Sequence, residues 1–161
     1  MKHRFLFVPM IPVVIALAGC SVSTNEGTGD DASAVKSQTL SGTVNGSPFN
    51  GKVAIAEKDF FDDKAMTVTI YDVDVNCDTR NGGIKDGDSD ILLSVENWSL
   101  GLSYQLDSAH SATFYSQTGG VNHFIWNGRV EIASSGQTLG LRGSADGAGS
   151  VEGQVPLVIC Q

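Results

Sequence analysis

Proline, cysteine and histidine are scarce, with four, three and three residues in a chain of 161, and 10 basic side chains stand against 18 acidic ones. Each shortage excludes something. Three cysteines with no C-x-x-C pair rule out a disulfide-dense scaffold and the usual zinc modules. The shortage of Lys and Arg disfavours nucleic acid and anionic lipid headgroups as partners. There is no H-E-x-x-H, no P-loop, no G-x-S-x-G elbow and no G-x-G-x-x-G between strand and helix, so the chemistry those motifs carry is missing. No apolar run reaches the roughly 20 residues that a membrane-spanning helix needs. The longest, Phe5 to Leu17, has 13 residues and contains Pro9 and Pro12. Windows with helical apolar spacing are nearly absent as well.

Glycine, by contrast, is abundant at 19 residues, and Ser, Thr and Asn are common between short stretches of alternating apolar residues. This composition predicts an all-β domain with many turns. Leu40, Gly42 and Val44 share one face of a first strand. Asn45-Gly46 tolerates the positive φ of a tight turn, and Val53 and Ile55 resume the alternation. Phe60-Phe61, set among Asp59, Asp62 and Asp63, is expected in a loop with its rings folded back onto the core. Met66, Val68 and Ile70 alternate, then the apolar parity moves to Tyr71, Val73, Val75 and Cys77. A one-residue slip exchanges the faces of a strand, so a β-bulge is expected near Ile70 to Asp72.

Later strands are expected at Ile91, Leu93 and Val95, at Tyr104 and Leu106, and at Ala112 and Phe114. In the next one His123 and Ile125 interleave with Phe124 and Trp126, which suggests a strand with both faces at least partly covered. Asn127-Gly128 reads as a turn before Val130 and Ile132, and Ser134-Ser135-Gly136 as another before Leu139 and Leu141. Val151, Val155, Leu157 and Ile159 close the chain. About eight to ten short strands without crossover helices imply an antiparallel β-sandwich, with a small β-barrel as the alternative.

The N-terminus follows a different logic. Met1-Lys2-His3-Arg4 is a basic start, Phe5 to Leu17 an apolar stretch, and Ala18-Gly19 the small pair that a signal peptidase needs. Leu17-Ala18-Gly19-Cys20 resembles the lipobox of bacterial lipoproteins. The resemblance implies that residues 1–19 are a signal peptide and that Cys20 carries a diacylglycerol and a third, amide-linked acyl chain, palmitate among them. Two or more chains anchor a protein stably to a membrane. Ser21, in place of an Asp after the Cys, implies export to the outer membrane of a Gram-negative envelope. Loss of 19 residues leaves 142, enough for one domain, and loss of Lys2 and Arg4 takes the net charge from −8 to −10.

Residues 20–37, the lipidated Cys and the polar run SVSTNEGTGDDASAVKS, are expected to tether a single domain, residues 38–161. That tether holds the domain about 20 to 25 Å from the membrane. With Cys20 committed to lipid, Cys77 and Cys160 remain as an even pair in an oxidising compartment, and are expected to be bonded to each other.

Asp86-Gly87-Asp88-Ser89-Asp90 has the D-x-D-x-D spacing that lets alternate carboxylates converge on a hard cation such as Ca²⁺, which makes Asp86, Asp88 and Asp90 candidate metal ligands. The segment is not an EF-hand, because Ile91 takes the place of the turn glycine and Asn97 that of the bidentate acid. A looser site draws on Asp72, Asp74, Asn76 and Asp78. Of the 18 acids, 11 fall between Glu57 and Glu96 against four basic residues, and their mutual repulsion favours a bound cation. A merely solvated acidic loop is the competing reading. Trp98, Tyr104, Tyr115 and Trp126 offer flat rings to sugars or peptides, but a β core needs large rings too. Both Trp are read first as core, Trp126 the nearer to the surface. His110 and His123 belong to no triad segment. No residue is assigned a catalytic role, and no cofactor besides that Ca²⁺ is indicated.

Beyond the lipobox, Gly42-Thr43-Val44-Asn45-Gly46, Trp98, Cys77 and Cys160 resemble small bacterial envelope lipoproteins of β-sandwich type, in which a Gly-x-Val-Asn-Gly strand precedes a middle and a terminal Cys. The resemblance implies a lipid-anchored envelope or cell-surface protein with a non-enzymatic binding or structural role. Such families mostly lack an assigned activity. The expected contacts are the membrane, through the lipid, and an envelope protein or glycan; nucleic acid is not among them. The rival reading is a small cation-assisted hydrolase using carboxylates of the Asp72 to Asp90 region. It requires a concave pocket where those carboxylates meet a His or polar donors.

Overall fold

A computed structural model describes residues 34–80, 89–116 and 121–160. Among them there is no helix. The strands are β1 (Ser41–Val44), β2 (Ser47–Asn50), β3 (Val53–Lys58), β4 (Met66–Tyr71), β5 (Ser89–Val95), β6 (Ser103–Gln105), β7 (His110–Ser116), β8 (His123–Ile125), β9 (Asn127–Ile132), β10 (Thr138–Ala145) and β11 (Gly149–Ile159). They form one curled sheet in the order β6-β9-β10-β11-β3-β4-β5-β7-β8, with β1 paired to β11 and β2 to β1. The all-β architecture is the expected one, in a half-barrel form. Among the described residues it has eleven strands rather than eight to ten, and one of their ladders is parallel, Leu157 to Ile159 against Ala54 to Ala56.

The curl comes from β11, which changes partners along its length. Gly149 to Pro156 pair with β10, and Leu157 to Ile159 with β3. At Gly153, φ is +139° and a Cβ would lie 2.7 Å from the carbonyl oxygen of Gln38 and from the Leu40 backbone. Only glycine lets the entering chain cross there. Gln154 then donates its N–H to Gln38 O at 2.6 Å and accepts from Leu40 N at 2.8 Å.

Strand alternation fills the inside of the curl. Val68 and Ile70 of β4, Ile91, Leu93 and Val95 of β5, Ala112 and Phe114 of β7, and Leu139 and Leu141 of β10 are fully buried in one cluster. Burying one Leu, Ile, Val or Phe side chain stabilises by about 1.5 to 3 kcal/mol.

The expected β-bulge is absent. The β3–β4 ladder runs in continuous register from Lys58↔Met66 to Val53↔Tyr71, and β4 ends there. The parity change has another cause: Val53, Ile55, Tyr71 and Cys160 form a second cluster, against which Val73, Val75 and Cys77 pack. A disulfide joins Cys77 to Cys160, whose Cα atoms are 5.7 Å apart. It straps the segment after β4 over the outer face of β3. That face needs apolar residues of its own, and Tyr71 onward supplies them.

Asn45-Gly46 forms the expected turn, with φ of 49° and 80°. So does Ser134 to Gly136, where Ala133 N donates to Thr138 O at 3.0 Å. The tether was expected to run to Ser37, but packing begins earlier. Val35 is buried against Gly140, and its N–H donates to Glu131 Oε1 at 3.2 Å. Lys36 Nζ pairs with Glu152 at 2.6 Å.

Candidate functional site

β8 is only three residues long, and what holds it decides what it presents. Ile125 is buried. It sits over Gly143 of β10, where a Cβ would come within 2.8 Å of Ile125 Cγ2. With Ile125 fixed inward, alternation turns Phe124 and Trp126 outward. The second face of this strand is only partly covered, and Trp126, read first as core, stands out from it: Phe124 is 56% and Trp126 68% exposed. Their ring centroids lie 5.8 Å apart with the planes tilted by 41°.

Trp126 stands at a corner between two strands. β8 pairs with β7, whereas β9, starting at Asn127, pairs with β10 and β6. Asn127-Gly128 is therefore the beginning of a strand and not the turn that the dipeptide suggests. Beside the two rings lies a cleft of about 310 Å³ whose lining also takes in Asn122, His123 and Asn127, and Ser144, Ala145 and Asp146 at the β10–β11 turn. That turn is closed by Ala148 N donating to Ala145 O at 3.0 Å. Leu92, Thr113 and Phe124 are cross-strand neighbours in one row of the sheet. Leu92 and Tyr115 are exposed on the same side.

A second pair of rings stands at the β3–β4 turn. Phe60 and Phe61 are 92% and 93% exposed, which corrects the expectation that they fold onto the core. The loop is closed from within. The Asp59 carboxylate accepts the backbone N–H of Phe61 at 2.8 Å and of Asp62 at 3.3 Å, and the Thr67 hydroxyl at 3.3 Å. These bonds, that from Phe61 first, hold the Asp59 carboxyl below its ordinary range and leave the rings pointing away from the body. The two rings touch only edge to face, with centroids 5.2 Å apart.

Asp86 and Asp88 lie outside the described residues, as does Cys20. Asp90 is buried on β5, opposite Tyr71 on one side and Tyr115 on the other. Asn76 serves its own turn, its Oδ1 accepting from the N–H groups of Asp78 at 2.9 Å and Thr79 at 3.0 Å. Among the described residues no group of three or more His, Cys, Asp or Glu is placed to hold a metal ion.

Trp98 and Tyr104 pack partly buried against the core. The Tyr104 hydroxyl accepts from Ser99 N at 2.8 Å and donates to Asn97 O at 3.0 Å. His110 lies against the Tyr104 ring and 3.1 Å from Asp107, and bonds from the backbone N–H of His110 and Ala109 lower the Asp107 pKa. These groups brace the β6 and β7 ends. A wider groove of about 570 Å³ crosses β1, β10 and β11, but its lining holds no aromatic ring and its Lys36 is paired with Glu152.

Sequence reasoning named Trp126 and Tyr115 as candidate rings but missed Phe124 and the Phe60-Phe61 tip. The usable signal was the alternation about Ile125, which fixes the side on which Phe124 and Trp126 emerge. Among the described residues no helix is long and apolar enough to cross a membrane. Comparison with protein-family models, with curated proteins and with solved structures finds no match to this chain.

Proposed function

We propose that this is an envelope lipoprotein whose folded domain acts by binding, with Phe124 and Trp126 at its contact surface. The observation that carries the reading is the exposure of these two rings on a strand fixed from behind by Ile125, next to a polar cleft. Large rings held rigidly in water are typical of binding hot spots, since little conformational entropy is lost when a partner covers them. The anchoring half of the proposal is supported by Leu17-Ala18-Gly19-Cys20 and by a Cys77–Cys160 disulfide suited to an oxidising compartment.

Two measurements on the full chain in a Gram-negative host test it. Labelled palmitate is expected on the wild type and not on Cys20→Ser, which moves to the soluble fraction; an unmodified Cys20 in the mature protein's mass spectrum removes the anchor. A photo-crosslinking amino acid in place of Phe124 is expected to capture an envelope component. Capture no greater than from the same group at exposed Lys52 removes the binding role.

A further inference from the structure

We propose that the cleft beside Phe124 and Trp126 binds an uncharged saccharide chain; this names the ligand class for the binding role above and rests on it. A sugar ring has an apolar C–H face and a rim of hydroxyl groups that donate and accept hydrogen bonds. The cleft is lined by groups of both kinds. Phe124 and Trp126 offer two rings with planes at 41° to one another, and Asn122, Asn127, Ser144 and Asp146 add amide, hydroxyl and carboxylate groups to the same lining. Amides and hydroxyls both donate and accept, as a sugar hydroxyl requires, and a carboxylate accepts.

Charge narrows the class. No Lys or Arg lines the cleft, whose ionisable side chains are His123 and Asp146, and the Asp146 carboxylate repels anions. Phosphate, nucleic acid, and sulfated or uronic glycans are therefore disfavoured.

Shape and position narrow it further. The cleft is small, about 310 Å³, but Phe124 is followed along one row of the sheet by Thr113 and the exposed Leu92. An extended chain can lie with one or more rings in the cleft and the rest along that row. A protein partner would need on the order of 1,000 Å² of well-packed contact. The outer face beyond the two rings carries Thr69 and Thr113 in the row of Leu92 and Phe124, and Ser94 opposite Ser111 in the next row, so hydroxyl groups alternate there with the single apolar side chains Leu92 and Tyr115. The rings also sit on or next to a strand locked by Ile125 over Gly143, so binding requires little reordering.

The test uses the full-length chain in a detergent without a sugar headgroup, with maltohexaose, cellohexaose and the hexamer of N-acetylglucosamine as probes. The chain has two Trp, so Trp98→Phe makes Trp126 the sole reporter; affinity electrophoresis of the unsubstituted chain gives a reading that does not depend on that change. At least one probe is expected to shift Trp126 emission and shield it from acrylamide. Trp126→Ala and Phe124→Ala should each weaken that binding about tenfold with the melting temperature unchanged, while Trp126→Phe retains most of it. No response to any of the three probes at millimolar concentration overturns the proposal. Binding that survives Trp126→Ala also overturns it, as does retention only by anionic vesicles or sulfated polysaccharide. If the photo-crosslinker at Phe124 captures a protein while all three probes fail, the saccharide assignment falls and the binding role stands. If it captures nothing and all three probes fail, both fall.

Discussion

Tyr71 and Asp90 lie directly opposite each other in the β4–β5 ladder, 5% and 4% exposed, on the outer face of the sheet. Burial pushes the Tyr71 phenol above its ordinary value of 10.0, and the carboxylates of Asp90 and Glu57 add to the shift. The neutral phenol is the form that the fold favours. Its contribution to stability is thus complete below pH 10, where the unfolded chain is neutral too, and is lost as pH rises toward the folded value. In a spectrophotometric titration of the three tyrosines, Tyr71→Phe should remove the last phenol to ionise. Asp90→Asn should leave that phenol late, because burial is the larger cause. A late phenol that persists in Tyr71→Phe refutes the placement.

The Cys77–Cys160 bridge closes a loop across 83 positions of sequence. The chain-entropy argument assigns such a loop about 4.5 kcal/mol, and real bridges commonly give about 2 to 4. The double substitution Cys77→Ser with Cys160→Ser is expected to lower the urea midpoint accordingly. The damage should concentrate in the outer cluster: Val73 and Val75 lose the strap that keeps them on Val53 and Ile55, so amides of residues 72–80 should exchange faster than those of β5. Uniform acceleration across the sheet would contradict this local role.

These two cases show where the sequence is legible. Ile91, Leu93 and Val95 could be read as a strand because alternation is local, and Asn45-Gly46 as a turn because its left-handed φ values are local as well. The move of apolar parity to Tyr71 could be seen but not explained. Its cause is Cys160, brought in from the far end of the chain. Phe60 and Phe61 defeat the rule that rings go inward because Asp59 closes the loop with its own carboxylate. For Phe124 and Trp126, alternation fixed the side, but whether anything covers that side depends on the fold of the whole sheet. The cleft likewise needs Ser144 and Asp146 from another hairpin, which no local pattern places there.

Phe60 and Phe61 permit a comparison within one residue type. Replacing either by Ser removes a ring that touches little besides its neighbour, so the stability change should stay within about 0.5 kcal/mol. Phe114 is fully buried, and Phe114→Ala should cost about 3 to 5 kcal/mol. Urea midpoints of the three variants check both. A cost near that of Phe114→Ala at either tip position would mean that the ring is packed.

Gly128 and Gly46 follow Asn in the same dipeptide but are glycine for different reasons. Gly46 has φ of +80° and nothing within 4 Å of where a Cβ would stand, so its requirement is conformational. At Gly128 a Cβ would lie 2.2 Å from the carbonyl oxygen of Arg142 and 2.8 Å from Leu106 Cδ1, because β9 and β10 are paired there. The requirement is one of space, and backbone must shift to satisfy it. Asn tolerates left-handed φ. Gly46→Asn should therefore cost little, whereas Gly128→Asn and Gly128→Ala should each lose about 1 to 3 kcal/mol or more from forced repacking. The urea midpoint should fall in the Gly128 variants with its slope unchanged. Equal tolerance of Asn at both positions would restore the turn that the dipeptide suggests and remove the corner that carries Trp126.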